Sequence, residues 1–466
     1  MKQVDVAIIG GGPAGIAAAI ELSGGADIVV IDAYPQPGGH YFRQSPQELP
    51  KTSITSDRHQ AEYASLMASL KRLNVSVLSE TAVWSIFPAE ESSDGYTLQL
   101  HGPHPVRSIQ AKYLLLAPGA YDRPMTFPGW HLPGVMTPGG AQMLMKGHGI
   151  LPGKRILVAG SGPLLLGAAA GLVKAGAEVV AVLDAASMWT GTFKIPLAFW
   201  GQIDRLKDAL DYGYTLKRNG VSILFGHAIF RVLGETEATV AVYGRIDAHG
   251  HPLKQTEKVV EVDTVCVGLG FLPNLALTRH LGCEHVYDAV LDAYYPKHDE
   301  TMETTVPNIF VAGDVTGVGG KDMSKLQGQV AGRNILGKLG RFSAKETKRR
   351  AQALEPALKR EARFISMVKD RLQVQPGLFE LVDDDTIVCR CEMVTARQIK
   401  AAIHDGAQEI RGVKLRTRCG MGPCQSRLCE STVRHLVAQE TNRPKDEIGT
   451  MTIRPPLMPV LIKDII

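Results

Sequence analysis

Apolar runs along the chain alternate with glycine-rich breaks and alanine-rich stretches. The apolar run Val4–Ile9 ends in glycines, the alanine-rich segment Ile16–Leu22 follows, and a second apolar run, Asp27–Ile31, comes next. This succession predicts a strand, a helix and a strand, which is the βαβ unit of a doubly wound parallel sheet.

The same pattern returns further along the chain. Apolar runs at Arg155–Ala159 and Glu178–Leu183 flank a second glycine turn, and a later run, Asn308–Ala312, ends in Gly313. We therefore predict an α/β protein with two dinucleotide-binding (Rossmann-like) domains, one inserted into the other, and a small helical C-terminal module. The expected bounds are 1–125 and 285–340 for the first domain, 126–284 for the second, 341–384 for a charged helical connector, 385–440 for a cysteine-rich module and 441–466 for an extended tail.

Composition narrows the class of protein. The chain has 466 residues, 45% of them hydrophobic, and is too long to fold around a single core. Its net charge of +4 is too small to indicate nucleic acid as a partner. No signal peptide or transmembrane segment is evident, since the apolar stretch 7–20 is interrupted by glycines and is short of the roughly 20 residues that span a bilayer. We expect a cytoplasmic protein.

The first glycine turn has the spacing of a dinucleotide site. In Gly10-x-Gly12-x-x-Gly15, the first glycine permits the turn, the second admits a pyrophosphate and the third lets the helix pack on the strand. Pro13 and Ala14 lie at the helix start, whose N–H groups favour phosphate. Asp32, at the end of the second strand, is placed to accept hydrogen bonds from a ribose.

Later motifs narrow the ligand of this first turn. Gly38 and Gly39 follow the acidic residue, Gly119 ends the strand-like sequence LLLAPG, and Gly313-Asp314 ends the sequence VAGD. Together with the turn, these motifs resemble those of flavoproteins with two dinucleotide folds, and they predict FAD.

The second turn is less regular. Gly160 and Gly162 repeat the first two glycines and Asp184 repeats the acid, but Leu165 replaces the third glycine. Three interpretations stay open: the turn binds NAD(H), it holds another adenine nucleotide such as ATP, or it is a remnant of the fold. NADP is the least favoured ligand, because Asp184 would repel its 2′-phosphate.

Five cysteines are concentrated in the C-terminal module. Cys389 and Cys391 form a C-x-C pair, and Cys424 and Cys429 form a C-x4-C pair. Without a secretion signal, such a group favours a metal or an iron–sulfur cluster over disulfides, and thiolates are the ligands that [2Fe–2S] clusters select. Cys419 could replace Cys424 as a ligand, but we favour Cys424. Structural zinc bound by the same thiolates is an alternative to the cluster.

The segment between the two cysteine pairs predicts a helix. Ile399, Ala402 and Ile403 lie on one face of a helix over Thr395–His404. We expect a second helix to begin near Gln425, so that its N-terminus lies against the cluster and stabilises the negative charge.

Nearly the whole chain resembles a known family. The sequences that carry the resemblance are GGGPAGIAAA, PGG, LLLAPGAYDRP, GSGPLLL, VAGDVTGVGG, VCRCE and TRCGMGPCQSRLC. They are similar to the FAD-binding α subunits of heteromeric amine and imino acid dehydrogenases. That group includes the corresponding subunits of octopine and nopaline oxidases, the middle subunit of hydrogen cyanide synthase, and the α subunits of proline and hydroxyproline dehydrogenases. The module is similar to bacterioferritin-associated ferredoxin, except that the second pair there is C-x2-C.

The resemblance implies a division of labour. A β subunit similar to D-amino acid oxidases would oxidise the C–N bond of an amino acid, imino acid or opine, while this chain carries FAD, a second nucleotide site and the cluster. It also implies an electron acceptor such as a quinone, which would bring the complex to the inner membrane peripherally, and it leaves room for a further small subunit. The sequence indicates no catalytic base or substrate clamp. Two other functions stay open: a self-sufficient NADH-dependent reductase, and a scaffold with structural zinc.

Overall fold

The computed structural model describes residues 2–43, 57–89, 95–162, 164–187 and 202–462. The described strands, numbered in chain order, are β1 Lys2–Ile9, β2 Ile28–Ile31, β3 Ser76–Leu78, β4 Ala82–Pro88, β5 Tyr96–His101, β6 Ser108–Leu116, β7 Ala120–Asp122, β8 Val135–Met136, β9 Arg155–Ser161, β10 Glu178–Asp184, β11 Ser222–Phe225, β12 His227–Leu233, β13 Val240–Arg245, β14 Lys258–Glu261, β15 Thr264–Leu269, β16 Phe271–Pro273, β17 His285–Asp288, β18 Ala293–Pro296, β19 Ile309–Val311, β20 Ile387–Cys389 and β21 Val394–Thr395.

The described α-helices are numbered in the same way. They are α1 Pro13–Leu22, α2 Asp57–Arg72, α3 Pro138–His148, α4 Leu164–Lys174, α5 Ile203–Arg218, α6 Ala276–His280, α7 Gly320–Lys338, α8 Ala344–Gln352, α9 Glu355–Val368, α10 Ala396–His404, α11 Ile410–Thr417 and α12 Glu430–Thr441.

The first domain is built on a sheet with the strand order β3-β2-β1-β6-β5-β4, in which β19 also pairs with β6. Strands β1, β2, β3, β6 and β19 are parallel, while β4 and β5 are antiparallel. Ile8 is buried with α1 and α7 on one face, and Ile9 is buried with β5 on the other. Because both faces are covered, the central strands are continuous apolar runs, as the sequence predicts.

Helices α1 and α7 pack closely because α7 carries glycines on the contacting face. A Cβ added to Gly328 would lie 2.1 Å from the carbonyl oxygen of Ala14. Arg333 on α7 also pairs with Glu21 on α1, with Nε 2.9 Å from the carboxylate. These contacts bring the middle of α7 against the start of α1, where the first glycine turn lies.

The second domain has a parallel sheet of order β11-β10-β9-β15-β8 and an antiparallel sheet of β12, β13 and β14. Strands β7 and β16 pair antiparallel and form the crossing between the two domains. Leu275, Leu277 and Cys283 already pack in the core of the first sheet. The chain therefore returns to the first domain directly after β16, about ten residues before the boundary at 285 that the sequence predicts.

The connector consists of α8, α9 and two 3-10 segments, Lys369–Leu372 and Pro376–Leu381. Ser343 caps α8 by accepting the N–H of Glu346, and the exposed Arg349 and Arg350 pair with the Glu346 carboxylate. These basic residues form a solvated face of the connector, whereas the 3-10 segment Lys369–Leu372 contacts the second domain.

The cysteine-rich module has a core of its own. It extends from Val382 to Met451, beyond the predicted bounds 385–440 at both ends. Helix α10 matches the prediction closely: Thr395 and Gln398 form a capping box, and Ile399, Ala402 and Ile403 are buried.

Two other features of the module differ from the sequence-based expectation. Helix α11 lies in a stretch for which the sequence pattern predicts no helix, and α12 begins at Glu430 instead of near Gln425. Gln425 and Ser426 adopt left-handed φ values of 51° and 68°, so the chain forms turns there and cannot begin the helix.

The tail runs from the module back to the first domain. Leu457 is buried in the core of the first sheet, and its N–H donates to the carbonyl of Trp84 on β4 at 2.9 Å. Residues 463–466 of the expected tail lie outside the described residues. No helix among the described segments is both long and apolar enough to cross a membrane.

Candidate functional site

The three glycines of the first turn differ in what surrounds them. A Cβ on Gly10, where φ is 106°, would lie 2.1 Å from the carbonyl oxygen of Ala117, and one on Gly15 would lie 1.9 Å from that of Gly10. Gly12 has a φ of −77°, which any residue can adopt, and a Cβ there would meet only the Cα of Gly39, at 3.9 Å. The first and third glycines thus serve the fold, and the second leaves a space open.

Asp32 holds the loops around this space together. Its Oδ2 accepts the N–H of Gly11 at 2.6 Å and its Oδ1 accepts the N–H of Tyr34 at 2.9 Å. The N–H of Gly38 donates to the carbonyl of Gly11 at 2.6 Å, which brings Gly39 opposite Gly12. Burial raises the pKa of Asp32, and the two backbone N–H groups oppose that shift.

The Gly313-Asp314 motif lies against the start of α1 as well. Pro13 and Ala14 begin α1, and a Cβ on Gly313 would lie 3.0 Å from that of Ala14. The Asp314 carboxylate accepts two backbone N–H groups at the start of α7, each at 3.2 Å, while burial raises its pKa. Gly119 lies between β6 and β7, with φ of 71° and open space where its Cβ would be. The predicted residues therefore surround one space at the carboxyl edge of the first sheet.

The second turn is arranged differently. Gly160, Gly162 and Asp184 lie together at the ends of β9 and β10, as the equivalent residues do in the first domain. Two residues of the connector lie on them: Arg371 pairs with Asp184 at 3.0 Å, and Leu372 lies against Gly162. Leu165, in place of the third glycine, is buried in the core beneath.

Three cysteine sulfurs form a tight group. The Sγ atoms of Cys389, Cys419 and Cys429 all lie within 4.8 Å of one another. Burial raises the pKa of the Cys424 thiol, and the neighbouring thiols of Cys391 and Cys389 add to that shift. All four predicted ligands are thus near one another, and the fifth thiol, Cys419, which the sequence interpretation treats as a neighbour of the cluster, is in direct contact with two of them.

Local structure explains how residues far apart in the sequence come together. Cys389 ends β20, Cys419 follows the left-handed Arg418 that ends α11, and Cys429 caps the N-terminus of α12. The thiols of Cys419 and Cys429 hold the pKa of Cys389 well below its usual value, with further help from backbone N–H groups. The Cys389 thiolate and burial in turn raise the pKa of the Cys419 and Cys429 thiols, so within this group of three the thiolate, the form that binds metal, is favoured at Cys389.

The module is docked on the body by buried polar contacts. Arg279 and Glu430 form two hydrogen bonds of 3.0 and 3.1 Å across the interface, and the hydroxyls of Thr126 and Thr432 meet at 2.8 Å. Trp130 also donates to the carbonyl of Ile387. Sequence reasoning missed these residues, because no local pattern marks partners that lie more than 100 positions apart.

A second group of charges lies in the same interface. Arg123, Arg434 and Lys445 surround the buried carboxylate of Asp292, and Tyr287 donates a hydrogen bond of 2.6 Å to it. Burial alone would raise the pKa of Asp292, but the three cations hold it below its usual value. The three cations around one carboxylate leave this group of charges with a net positive charge.

Comparisons with known proteins agree with this arrangement. Residues 4–333 match the family model described as pyridine nucleotide-disulphide oxidoreductase, and residues 387–439 match the BFD-like [2Fe-2S] binding domain. The chain belongs to the pyridine nucleotide-disulphide oxidoreductase family.

Curated relatives extend the likeness over the whole chain. The matching opine oxidase subunit of Rhizobium meliloti (strain 1021) is 32% identical, over 100% of this chain and 99% of that protein. Hydrogen cyanide synthase subunit HcnB of Pseudomonas aeruginosa is 31% identical, over 97% of this chain and 96% of that protein. The family resemblance predicted from the sequence is therefore confirmed.

Solved structures support the fold. L-proline dehydrogenase from P. horikoshii has a TM-score of 0.70 at 21% identity, covering 100% of this chain and 79% of that one. Thioredoxin reductase from T. acidophilum has a TM-score of 0.53 at 19% identity, covering 73% of this chain and 99% of that one.

The two family matches bear out both predicted cofactors, FAD and a [2Fe–2S] cluster, for an oxidoreductase. The residues present fit each of them. The open space beside Gly12 is of the kind that a diphosphate fills, and the group of cysteine thiols has the donor chemistry of the cluster.

Proposed function

We propose that this chain is the electron-transferring flavoprotein subunit of a heteromeric enzyme that oxidises a C–N bond in an amino acid, imino acid or opine. The observation that carries the proposal is the buried docking of the cysteine module on the body through Arg279 and Glu430. A fixed module beside a flavin-type fold suits the transfer of electrons between two cofactors in one chain.

The names of the relatives support a role within a complex. Opine oxidase and hydrogen cyanide synthase relatives are named as subunits, and both match this chain over almost its full length. We propose a β subunit similar to D-amino acid oxidases as the partner that binds the substrate, and an electron acceptor such as a quinone. A further small subunit is compatible with this arrangement.

The chain's own residues have distinct roles in this proposal. When FAD is bound, Gly12 and Gly39 would face its diphosphate, the N-terminus of α1 would favour the diphosphate charge, Asp32 would meet the adenosine ribose and Asp314 would lie near the ribityl chain. FAD accepts an electron pair and releases single electrons, and the cluster passes electrons one at a time. Burial of three of the five thiols limits the access of water to the cluster.

Four cysteines complete the assignment of roles. We propose Cys389, Cys391, Cys424 and Cys429 as the ligands and Cys419 as a fifth thiol that touches the cluster without holding iron. The short distance between the sulfurs of Cys389 and Cys429, one from each sequence pair, supports a single cluster held by both pairs. The N-terminus of α12 at Cys429 would stabilise the cluster's negative charge.

The test is anaerobic reduction of the complex, isolated from its own cells through a tag on this chain. Candidate substrates are octopine, nopaline, proline, hydroxyproline and D-amino acids, each added without NADH. Low-temperature electron paramagnetic resonance then follows the reduced cluster, and visible absorbance follows the flavin. We expect one substrate class to bleach the flavin and reduce the cluster within the turnover time, and NADH to do neither.

Two outcomes would contradict the proposal. A cluster that stays oxidised while the complex turns over substrate would remove it from the electron route. Rapid bleaching by NADH of this chain alone would make it a self-sufficient reductase. The control is a complex that carries Cys429→Ala and therefore lacks the cluster. Substrate should still reduce its flavin, while the rate of electron delivery to a quinone analogue should fall.

A further inference from the structure

The second glycine turn is covered by the chain's own connector. A Cβ on Gly162 would lie 2.7 Å from Cδ2 of Leu372, whereas the equivalent Gly12 in the first domain meets only Gly39, at 3.9 Å. The second glycine is the one that a pyrophosphate approaches in a dinucleotide site. Leu372 therefore lies against the glycine that a pyrophosphate would approach.

Asp184, the acidic residue of the second turn, is also paired with a residue of the connector. Arg371 Nη2 lies 3.0 Å from Oδ2 of Asp184, and the other carboxylate oxygen accepts the N–H of Ala186 at 3.0 Å. In the first domain, Asp32 accepts two backbone N–H groups instead of a guanidinium. The guanidinium thus lies where the ribose hydroxyls of a nucleotide would approach.

Contacts at both ends hold this segment in place. Lys369 pairs with Asp288 of the first domain at 2.5 Å, and the Gln375 amide donates to the carbonyl of Ala185 in the second at 3.3 Å. A nucleotide would have to break the Arg371–Asp184 pair and move Leu372 at the same time. Both partners of that pair are largely buried, so separating them without replacement is costly.

The turn beneath retains features of a nucleotide site. Gly160 still requires its glycine, because a Cβ would lie 1.7 Å from the carbonyl oxygen of Gly268. The hydroxyl of Ser161 is buried and has no hydrogen-bond partner within the described part of the chain. The turn thus keeps its first glycine beneath the connector, although the backbone at its second glycine differs from that at Gly12, with φ of 97° against −77°.

We infer that Arg371 and Leu372 determine the source of electrons for this chain by excluding nicotinamide and adenine nucleotides from the second turn. The flavin is then reduced only from a source other than NADH. This exclusion goes beyond the proposed function and does not depend on which partner or substrate the complex uses.

The experiment measures nucleotide binding to the purified, flavin-loaded full chain. Isothermal titration calorimetry with NADH, NADPH and ADP is applied to the wild type, to Leu372→Ala, to the double variant Arg371→Ala/Leu372→Ala, and to Arg349→Ala. Arg349 is a matched control, since it is an exposed cation on the same connector. Flavin absorbance and circular dichroism of the cluster confirm that each variant is folded.

We expect no saturable binding to the wild type or to Arg349→Ala up to about 1 mM, and binding at least about tenfold tighter to the double variant. The double variant should prefer NADH over NADPH, because Asp184 loses its neutralising partner and repels a 2′-phosphate. The affinity of the single variant Leu372→Ala should lie between those of the wild type and the double variant, because the phosphate position is open but Asp184 is still paired with Arg371.

Two results would overturn the inference. Wild type that binds NADH or ADP as tightly as the double variant would show that the two residues are no barrier. Folded variants, single and double, that bind none of the three nucleotides would show that the turn is not a nucleotide site at all. A failure of the C–N oxidation proposal would leave both results unchanged, because neither measurement uses the substrate or the partner.

Discussion

Arg279 and Glu430 meet in two parallel hydrogen bonds, with one residue directly after the domain crossing and the other next to a cysteine of the module. Their side chains are only 15% and 13% exposed. The Glu430 carboxylate also accepts from Arg434 at 2.8 Å. The pair thus joins the first domain to the start of α12 in a place that water hardly reaches.

Removing Arg279 should loosen the module. Arg279→Ala leaves Glu430 buried with one cation instead of two, and we expect a loss of about 3 kcal/mol in the free energy of unfolding of the docked module. Denaturant titration followed by the circular dichroism of the cluster measures it. Lys297→Ala serves as the control: its pair with Glu284 is more than half exposed, so its loss should cost less than about 1 kcal/mol. Equal losses in the two variants would mean that the buried pair does not dock the module.

Gly12→Ala should weaken FAD binding without disturbing the fold. The backbone at Gly12 suits any residue and its Cβ has room, but the added methyl would project into the space for the diphosphate. We expect affinity for FAD to fall about tenfold or more, measured by fluorescence during reconstitution of the apoprotein. Gly213→Ala, on a helix with no atom within 4 Å of the new Cβ, should leave flavin affinity unchanged and stabilise α5 by about 1 kcal/mol. Unchanged affinity in Gly12→Ala would place the diphosphate elsewhere.

The cysteines should divide into four that hold iron and one that does not. Alanine at Cys389, Cys391, Cys424 or Cys429 should abolish the two irons of the cluster, because each iron needs two thiolates. Cys419→Ala should retain both, with a shifted visible spectrum from the altered contact. Iron analysis and electron paramagnetic resonance of the reduced protein distinguish these cases. Loss of iron in Cys419→Ala with retention in Cys424→Ala would exchange the roles of these two residues.

Acid should destabilise the module through a partly buried histidine. His435 stacks on Phe379 with ring centroids 4.0 Å apart, and burial, with Lys445 nearby and only partial opposition from Asp292, lowers its pKa to about 4. The folded form excludes a proton that the unfolded chain takes up below its ordinary pKa of 6.5. Stability from this group is therefore fully present above pH 6.5 and falls toward pH 4, by about 1.4 kcal/mol per pH unit.

The variant His435→Phe separates this contribution from others. Denaturation at pH 7.5, 6 and 5 should show a smaller pH dependence than in the wild type. Some dependence should stay, since burial and Arg279 also lower the pKa of His285 to about 4. His404→Gln changes an exposed histidine and should follow the wild type. An unchanged slope in His435→Phe would contradict the assignment.

Local patterns are enough to predict the parts of the site that local geometry determines. The roles of Gly10, Gly12 and Gly15 follow from the turn itself, and the buried face of α10 follows from its periodicity. The residue at which α12 begins cannot be predicted from such local patterns. Gln425 and Ser426 adopt backbone conformations that sequence patterns assign to glycine or asparagine.

Long-range contacts account for what sequence patterns miss. Arg371 and Asp184 lie 187 positions apart, and neither position has a feature that marks the other. The second nucleotide turn stays open among three interpretations in the sequence because the residue that fills it, Leu372, belongs to a segment that is otherwise an ordinary connector. Only the fold brings the two together.

The module is attached to the body at both of its ends, by the connector before it and by Leu457 of the tail, which lies in the core of the first sheet behind it. A carrier domain on a single tether must diffuse to its donor, and its rate falls as the solvent thickens. A module held at two points does not have to diffuse to its donor. The rate at which electrons cross between the two cofactors should then depend on their separation and not on the viscosity of the medium.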